Sequence, residues 1–201
     1  MSHHIPRSLL AGLLIIFLLP LGWSAPTRAA DASEPVILVA KPELGDFYRA
    51  TILLAKPLGD GTHVGFIINR PTQVTLGKLF PDHGPSQQVV EPIYFGGPEN
   101  LSMIFAIVQG PTNPGGHSLR LTDDLYLAIE ADVVDRIIET ESDRSRFFAG
   151  LVAWQPGELR EEVKRGLWYV LDADADLVLR KSSTGLWEEL VSRSESARRG
   201  I

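Results

Sequence analysis

The residues best suited to chemistry stand at two polar breaks in an apolar half-chain. Asn69-Arg70-Pro71 closes the apolar run that begins at Val64. An arginine there offers a planar fork of donors for a carboxylate or phosphate, carried on the end of a rigid strand. The plainer role is a strand terminus, with Asn69 capping the next turn, Arg70 in solvent and Pro71 stopping the strand. Gly96-Gly97-Pro98 follows Ile93-Tyr94-Phe95 in the same way, either as a simple turn or as backbone that a ligand can approach closely. Both breaks follow strands, so they can share one rim of a sheet.

Other patterns fall short of a site. His63, His83 and His117 have spacings that no helix face can gather, and they read as solvated loop residues rather than metal ligands. Asp172-Ala173-Asp174-Ala175-Asp176 imitates the first carboxylates of a calcium loop. Leu177 stands where glycine should make the sharp turn, and Ser183 where a glutamate should close the shell, so the segment reads as an acidic turn. The sequence has no G-x-S-x-G elbow, no G-x-x-x-x-G-K-[ST] loop and no H-E-x-x-H helix, and Gly59-Asp60-Gly61 lacks the third glycine of a dinucleotide fingerprint. No cofactor or metal is called for.

The elements that must carry these residues follow from periodicity. Val36 to Ala40, Thr51 to Ala55 and Val64 to Asn69 are apolar runs of strand length, and Leu58-Gly59-Asp60-Gly61 turns the second into the third. Ile93 to Phe95 and Met103 to Val108 are further strands, the latter with six apolar residues in succession. A Gly/Pro/Asn-rich loop at 112–117 leads to a pair at Leu119 to Leu121 and Leu125 to Ile129. Val133, Val134, Ile137 and Ile138 then fall on one helical face, and Phe147 to Trp154 returns to strand. Pro156 opens a helix striped by Leu159, Val163 and Leu167, Trp168 to Leu171 and Leu177 to Leu179 are short apolar runs, and Leu186 to Val191 marks a closing helix. Strands dominate early and helices intersperse late. The fold class is α+β, one domain with a mixed sheet or a flattened, partly closed β-barrel flanked by helices.

The chain has 201 residues, no cysteine, 44% hydrophobic and 22% charged residues and a net charge of -6. The absence of cysteine excludes a disulfide framework, a thiol nucleophile and a Cys-ligated metal. The apolar residues are unevenly spread. Arg7 precedes an uncharged stretch from Ser8 to Trp23 with Leu13 to Leu19 at its centre, and small residues follow at Ala30 and Ala32. That is the order of a secretory signal, giving residues 1–32 as a signal peptide and 33–201 as the working domain. The run is shorter than a spanning helix requires and is broken by Pro20, so an uncleaved inner-membrane anchor is the alternative. Removing 1–32 leaves 17 basic and 24 acidic residues, a charge of -7 on 169 residues. Such a chain has no electrostatic footprint for DNA, and its membrane contact is limited to transit of the signal segment.

From Val36 onward the sequence resembles the YqgE/AlgH family of bacterial proteins. The likeness rests on Ala40-Lys41-Pro42, Gly65-Phe66-Ile67-Ile68-Asn69-Arg70-Pro71, Tyr94-Phe95-Gly96-Gly97-Pro98 and Ala153-Trp154-Gln155-Pro156-Gly157-Glu158-Leu159, with Glu162 and Trp168 beyond. The resemblance implies an α/β sheet or flattened barrel with flanking helices, and no established activity or catalytic set. Some members are labelled transcriptional regulators, a role that export contradicts. Two departures stand out: the leading segment itself, and Glu43-Leu44-Gly45-Asp46-Phe47-Tyr48, which lacks a proline after the aspartate. The motif positions Asn69, Arg70, Gly96, Gly97 and Trp154 form the candidate ligand-binding surface. The expectation is a non-enzymatic envelope protein that binds a small molecule or a partner protein in the periplasm or outside the cell. The alternatives are a regulator, or a hydrolase or transferase built on Asn69, Arg70 and Glu158 with the Gly96-Gly97 strand end.

Overall fold

A computed structural model describes residues 34–45 and 47–200; the segment 1–32, expected to be a signal peptide, lies outside them. The strands are β1 (Val36–Ala40), β2 (Ile52–Gly59), β3 (Thr62–Ile67), β4 (Pro71–Thr75), β5 (Pro92–Phe95), β6 (Glu99–Gln109), β7 (Leu119–Arg120), β8 (Leu125–Ala128), β9 (Ser145–Trp154) and β10 (Trp168–Asp172). The helices are α1 (Leu76–Leu79), α2 (Gly84–Gln88), α3 (Ala131–Thr140), α4 (Glu158–Lys164), α5 (Ala175–Val178) and α6 (Leu186–Arg199).

The hairpin of β2 and β3 forms where the sequence supplies backbone able to turn: Gly59, Asp60 and Gly61 all have positive φ, and Asp60 Oδ1 accepts the Thr62 hydroxyl at 2.9 Å. The sheet runs β10-β1-β2-β3-β9-β6-β8-β7, with β5 beside β9 and β4 beside β5. Most pairs are antiparallel, whereas β5 runs parallel to β9. The fold is a single mixed α+β domain, and its sheet stays open because β10 and β7 do not meet. The open mixed sheet, not the closed form, is the one adopted.

Strand β9 is the axis of the molecule. Phe148 in its first half pairs with Phe105 of β6 and Tyr94 of β5, while Val152 to Trp154 pair with β3. Gly150, at φ 72, marks the change of neighbours. The largest apolar cluster, including Ile37, Leu54, Phe66, Phe105, Leu127 and Phe148, joins both halves of the sheet and receives Leu177 from α5 and Leu186 and Leu190 from α6. A second cluster seats α3 through Val133, Val134, Ile137 and Ile138, and a third packs Leu159 of α4 beside Leu38, Leu53, Trp154 and Trp168.

Three local expectations are revised. Pro71 does not end structure but begins β4, an edge strand, where the lack of an N–H is tolerated. Pro156 precedes α4: Gln155 O accepts from Glu158 N at 3.0 Å, with Pro156 and the positive-φ Gly157 between them, a type II turn ahead of the helix. The acidic run caps a helix, because Asp174 accepts from the N–H groups of Asp176 and Leu177 and starts α5.

Candidate functional site

The ends of β3 and β5 meet. Ile67 N–H donates to Gly96 O at 2.8 Å and Phe95 N–H to Arg70 O at 2.9 Å, which places Asn69, Arg70, Gly96 and Gly97 on one rim. Trp154 ends β9 opposite His63 of β3, away from these strand ends, with its ring over Gly65, where a Cβ would lie 2.6 Å from it.

Asn69 acts as a fragment of strand. Its side chain accepts from Ile52 N–H at 2.9 Å and donates to Ala50 O at 2.8 Å, so it ties down the chain as it enters β2. Arg70 holds the same segment, donating to Phe47 O earlier in the loop and, at 2.6 Å, to the hydroxyl of the buried Thr51. Its guanidinium also lies over the Phe47 ring, 5.4 Å from the centroid. Burial lowers the Arg70 pKa from its ordinary value. Together the pair fastens the loop between β1 and β2.

Gly96 and Gly97 permit a backbone crossing. A Cβ on Gly96 would strike the Gly150 carbonyl and one on Gly97 the Leu151 carbonyl. Gly96 N–H donates to Ala149 O at 2.8 Å, so both polar groups of Gly96 bond to neighbouring strands. The Gly96 amide is engaged by the sheet.

The fastened loop carries aromatic rings. Phe47 is 47% exposed and meets Tyr48 and Phe95 edge-on at centroid distances of 4.8 and 6.2 Å. Tyr48 in turn meets Trp168 at 5.8 Å. The Trp168 and Trp154 indoles both donate to one oxygen of Glu162, at 2.8 and 3.1 Å. One carboxylate thus joins α4, β9 and β10. Burial raises the Tyr48 pKa above 10.0, Glu162 and Glu158 raise it further, and Arg70 opposes them. The candidate site is a run of ring contacts from Phe95 through Phe47 and Tyr48 to Trp168, with Arg70 over Phe47 and the Glu162 carboxylate linking Trp168 to Trp154. Glu158 stands at the start of α4, where its Oε2 accepts from Gln155 N–H at 3.0 Å.

The motif stretches contained Glu162 and Trp168 without indicating their partnership. Phe47 and Tyr48 stood in the sequence only as a departure from the family pattern. The sequence reading passed over Arg146 altogether. It is 3% exposed, donates to Ile68 O, to Val178 O at the end of α5 and to Arg180 O beyond it, and lies 4.2 Å from the Tyr94 ring centroid. Its Nε is buried without a partner among the described residues. A lone arginine at the head of an apolar strand was the available signal. Of the histidines, His63 lies within β3 rather than a loop, and burial lowers its pKa. His83 contacts Ser86 Oγ at 2.7 Å and His117 contacts Glu130. Among the described residues, no group of three acidic or histidine side chains is placed to hold a metal, and no helix is long and apolar enough to cross a membrane.

Residues 37–197 match the model of the AlgH-like family. The chain belongs to that family. It is 29% identical over 167 residues to a UPF0301 protein of Thermobifida fusca, covering 78% of this chain and 84% of the relative. A UPF0301 protein of Parabacteroides distasonis is also 29% identical, over 77% of this chain and 79% of its own length. Neither name states an activity. Among solved structures, protein DIP2367 of Corynebacterium diphtheriae superposes with a TM-score of 0.67 at 21% identity, covering 81% of this chain and 87% of that one. The AlgH protein of Pseudomonas aeruginosa gives 0.64 at 24% identity, covering 89% and 92%. This AlgH-like chain shares their fold.

Proposed function

We propose that this AlgH-like protein is exported and serves as a non-enzymatic binding protein of the cell envelope, with the loop between β1 and β2 as its contact surface. The observation that carries this reading is the exposed Phe47 ring, held between Arg70, Tyr48 and Phe95. An exposed aromatic fixed in place by a cation and neighbouring rings loses little conformational freedom when it is covered, which favours binding. Asn69 and Arg70 then serve the site by positioning the loop. Export is supported by the charge and hydropathy order of residues 1–32. The same reading places the protein outside the compartment where promoters lie.

Two measurements test it. Cell fractionation with N-terminal sequencing is expected to find the protein in the envelope fraction, starting near residue 33; full-length protein in the cytoplasm beginning at Met1 or Ser2 overturns export. Amide-resolved NMR of the 15N-labelled protein, titrated with small-molecule and protein fractions of an envelope extract, is expected to show shifts at Phe47, Tyr48, Arg70 and Phe95 that Phe47→Ser removes. A substrate-class screen yielding turnover that Arg70→Ala abolishes defeats the non-enzymatic reading in favour of a hydrolase or transferase.

A further inference from the structure

Among the described residues the sheet has three outer strands, and two of them are closed to pairing. β7 is two residues long and carries Arg120. β4 begins at Pro71 and is irregular against β5; Val74 N–H donates to Thr72 Oγ1 and Lys78 Nζ to Gln73 O, so side chains occupy its backbone groups. These are the usual devices that keep an edge from pairing. β10 has none of them. Its sequence, Trp168-Tyr169-Val170-Leu171-Asp172, contains no proline, glycine or lysine, and its register against β1 is unbroken.

The hydrogen-bond pattern identifies the groups left open. Lys41 N–H donates to Leu167 O, while Ala40 N–H donates to Thr51 O on the other side of β1. Alternation along an antiparallel pair then turns Leu167, Tyr169 and Leu171 toward β1, and points the N–H and C=O groups of Trp168, Val170 and Asp172 out of the sheet. Among the described residues no hydrogen bond from a loop or turn reaches these groups. Side chains on the strand are only partly covered, since Val170 and Leu171 retain exposure.

From this we infer that β10 is a homodimer edge, pairing antiparallel with β10 of a second copy about a two-fold axis at Val170. That register lets Val170 exchange two hydrogen bonds with its counterpart and lets Trp168 of each copy bond Asp172 of the other, so every outward group is used. On one face Val170 meets its own copy; on the other Tyr169 meets Leu171. Charge selects a second copy over an unrelated segment. Exposed Arg165 stands ahead of the strand beside Lys164, which pairs with Glu161 at 2.8 Å, while exposed Asp172 ends the strand and exposed Asp174 and Asp176 follow it. An antiparallel two-fold brings the basic end of each copy to the acidic end of the other. The edge adjoins the Phe47 loop through Trp168, whose ring Tyr48 meets at 5.8 Å, but the inference rests on the outward backbone groups of β10 and not on the binding role.

Analytical ultracentrifugation of the protein as cells express and process it is expected to show a monomer–dimer equilibrium that weakens with added salt. Val170→Lys places two like charges on the axis, and Val170→Pro removes an N–H that β1 does not use; each is expected to weaken dimerisation by roughly a hundredfold or more. Circular dichroism checks that the variants fold, and Val170→Lys carries the test where Val170→Pro does not. Arg165→Glu is expected to weaken the dimer, and adding Asp176→Arg to restore it. A protein that stays monomeric at high concentration overturns the inference. So does a dimer that Val170→Lys leaves intact, or slowed amide exchange at Val170 seen only when another protein is added.

Discussion

Arg70 and Glu162 each hold part of the aromatic band, by different means. Arg70 donates to a main-chain carbonyl and a buried hydroxyl, so Arg70→Ala frees the loop that carries Phe47 and leaves Thr51 without its donor. The expected cost is about 1–2 kcal/mol in urea unfolding, together with faster proteolytic cleavage within residues 41–51, while the rest of the fold keeps its resistance. Unchanged cleavage there would show that the loop is held by its rings alone. Glu162 accepts two indole N–H groups with one oxygen, so Glu162→Leu leaves two donors unmet beneath α4 and is expected to cost about 2–4 kcal/mol. It also removes a negative charge beside Tyr48, whose phenol then ionises at lower pH in an absorbance titration. His63 gives the pH dependence. Burial holds its folded pKa below 6.5, so the folded state binds its proton later than the unfolded chain. The stability it confers is complete above pH 6.5 and is lost as pH falls through the folded value. Thermal unfolding between pH 7 and 5 is expected to show this decline, reduced in His63→Asn.

At the scale of elements, the crossing of β5 over β9 is the most constrained feature, since glycine stands on both sides of it. Gly96→Ala drives a methyl group into the Gly150 carbonyl, a rigid neighbour that cannot move without breaking β9 from its partners. The expected loss is about 3–5 kcal/mol or failure to accumulate soluble protein, read by expression and denaturant titration; a stable Gly96→Ala protein would mean that the strands can separate there at little cost. Much of this framework was legible in the sequence. Apolar runs of strand length gave β1, β2, β3, β5, β9 and β10, and the 3.6-residue stripe gave α3, because burial imposes those periods directly. β4, α1 and α2 were missed because Pro71 to Gln88 is polar and short-range, with Leu76 and Ser86 among its few buried residues. The site was legible only in part. Asn69, Arg70 and Gly96 shared a rim as their strand-end positions implied, whereas Trp154 joins the band only through Glu162 and Trp168, contacts that depend on how α4 folds back. Local sequence does not encode such long-range placement.

The whole molecule holds together through one strand shared by two sets of partners. β9 pairs with β5 and β6 in its first half and with β3 in its second, and the largest apolar cluster draws residues from both sides of that division. Neither half can therefore unfold without exposing the apolar surface of the other. All three clusters come from residues between Val36 and Val191, so a chain released after Ala32 retains every core contact described. With no cysteine, its stability comes from this packing and is expected to be the same in oxidising and reducing buffer. The 169-residue form is accordingly expected to unfold in a single transition, with fluorescence of the tryptophans and far-ultraviolet circular dichroism coinciding along the denaturant axis. Trp154 and Trp168 report the face covered by α4, and Trp187, whose indole donates to Ala40 O at 2.8 Å, reports the docking of α6. If α6 detached first, the fluorescence change would precede the loss of secondary structure. Two separated transitions would show that the β9 junction fails to couple the halves of the sheet.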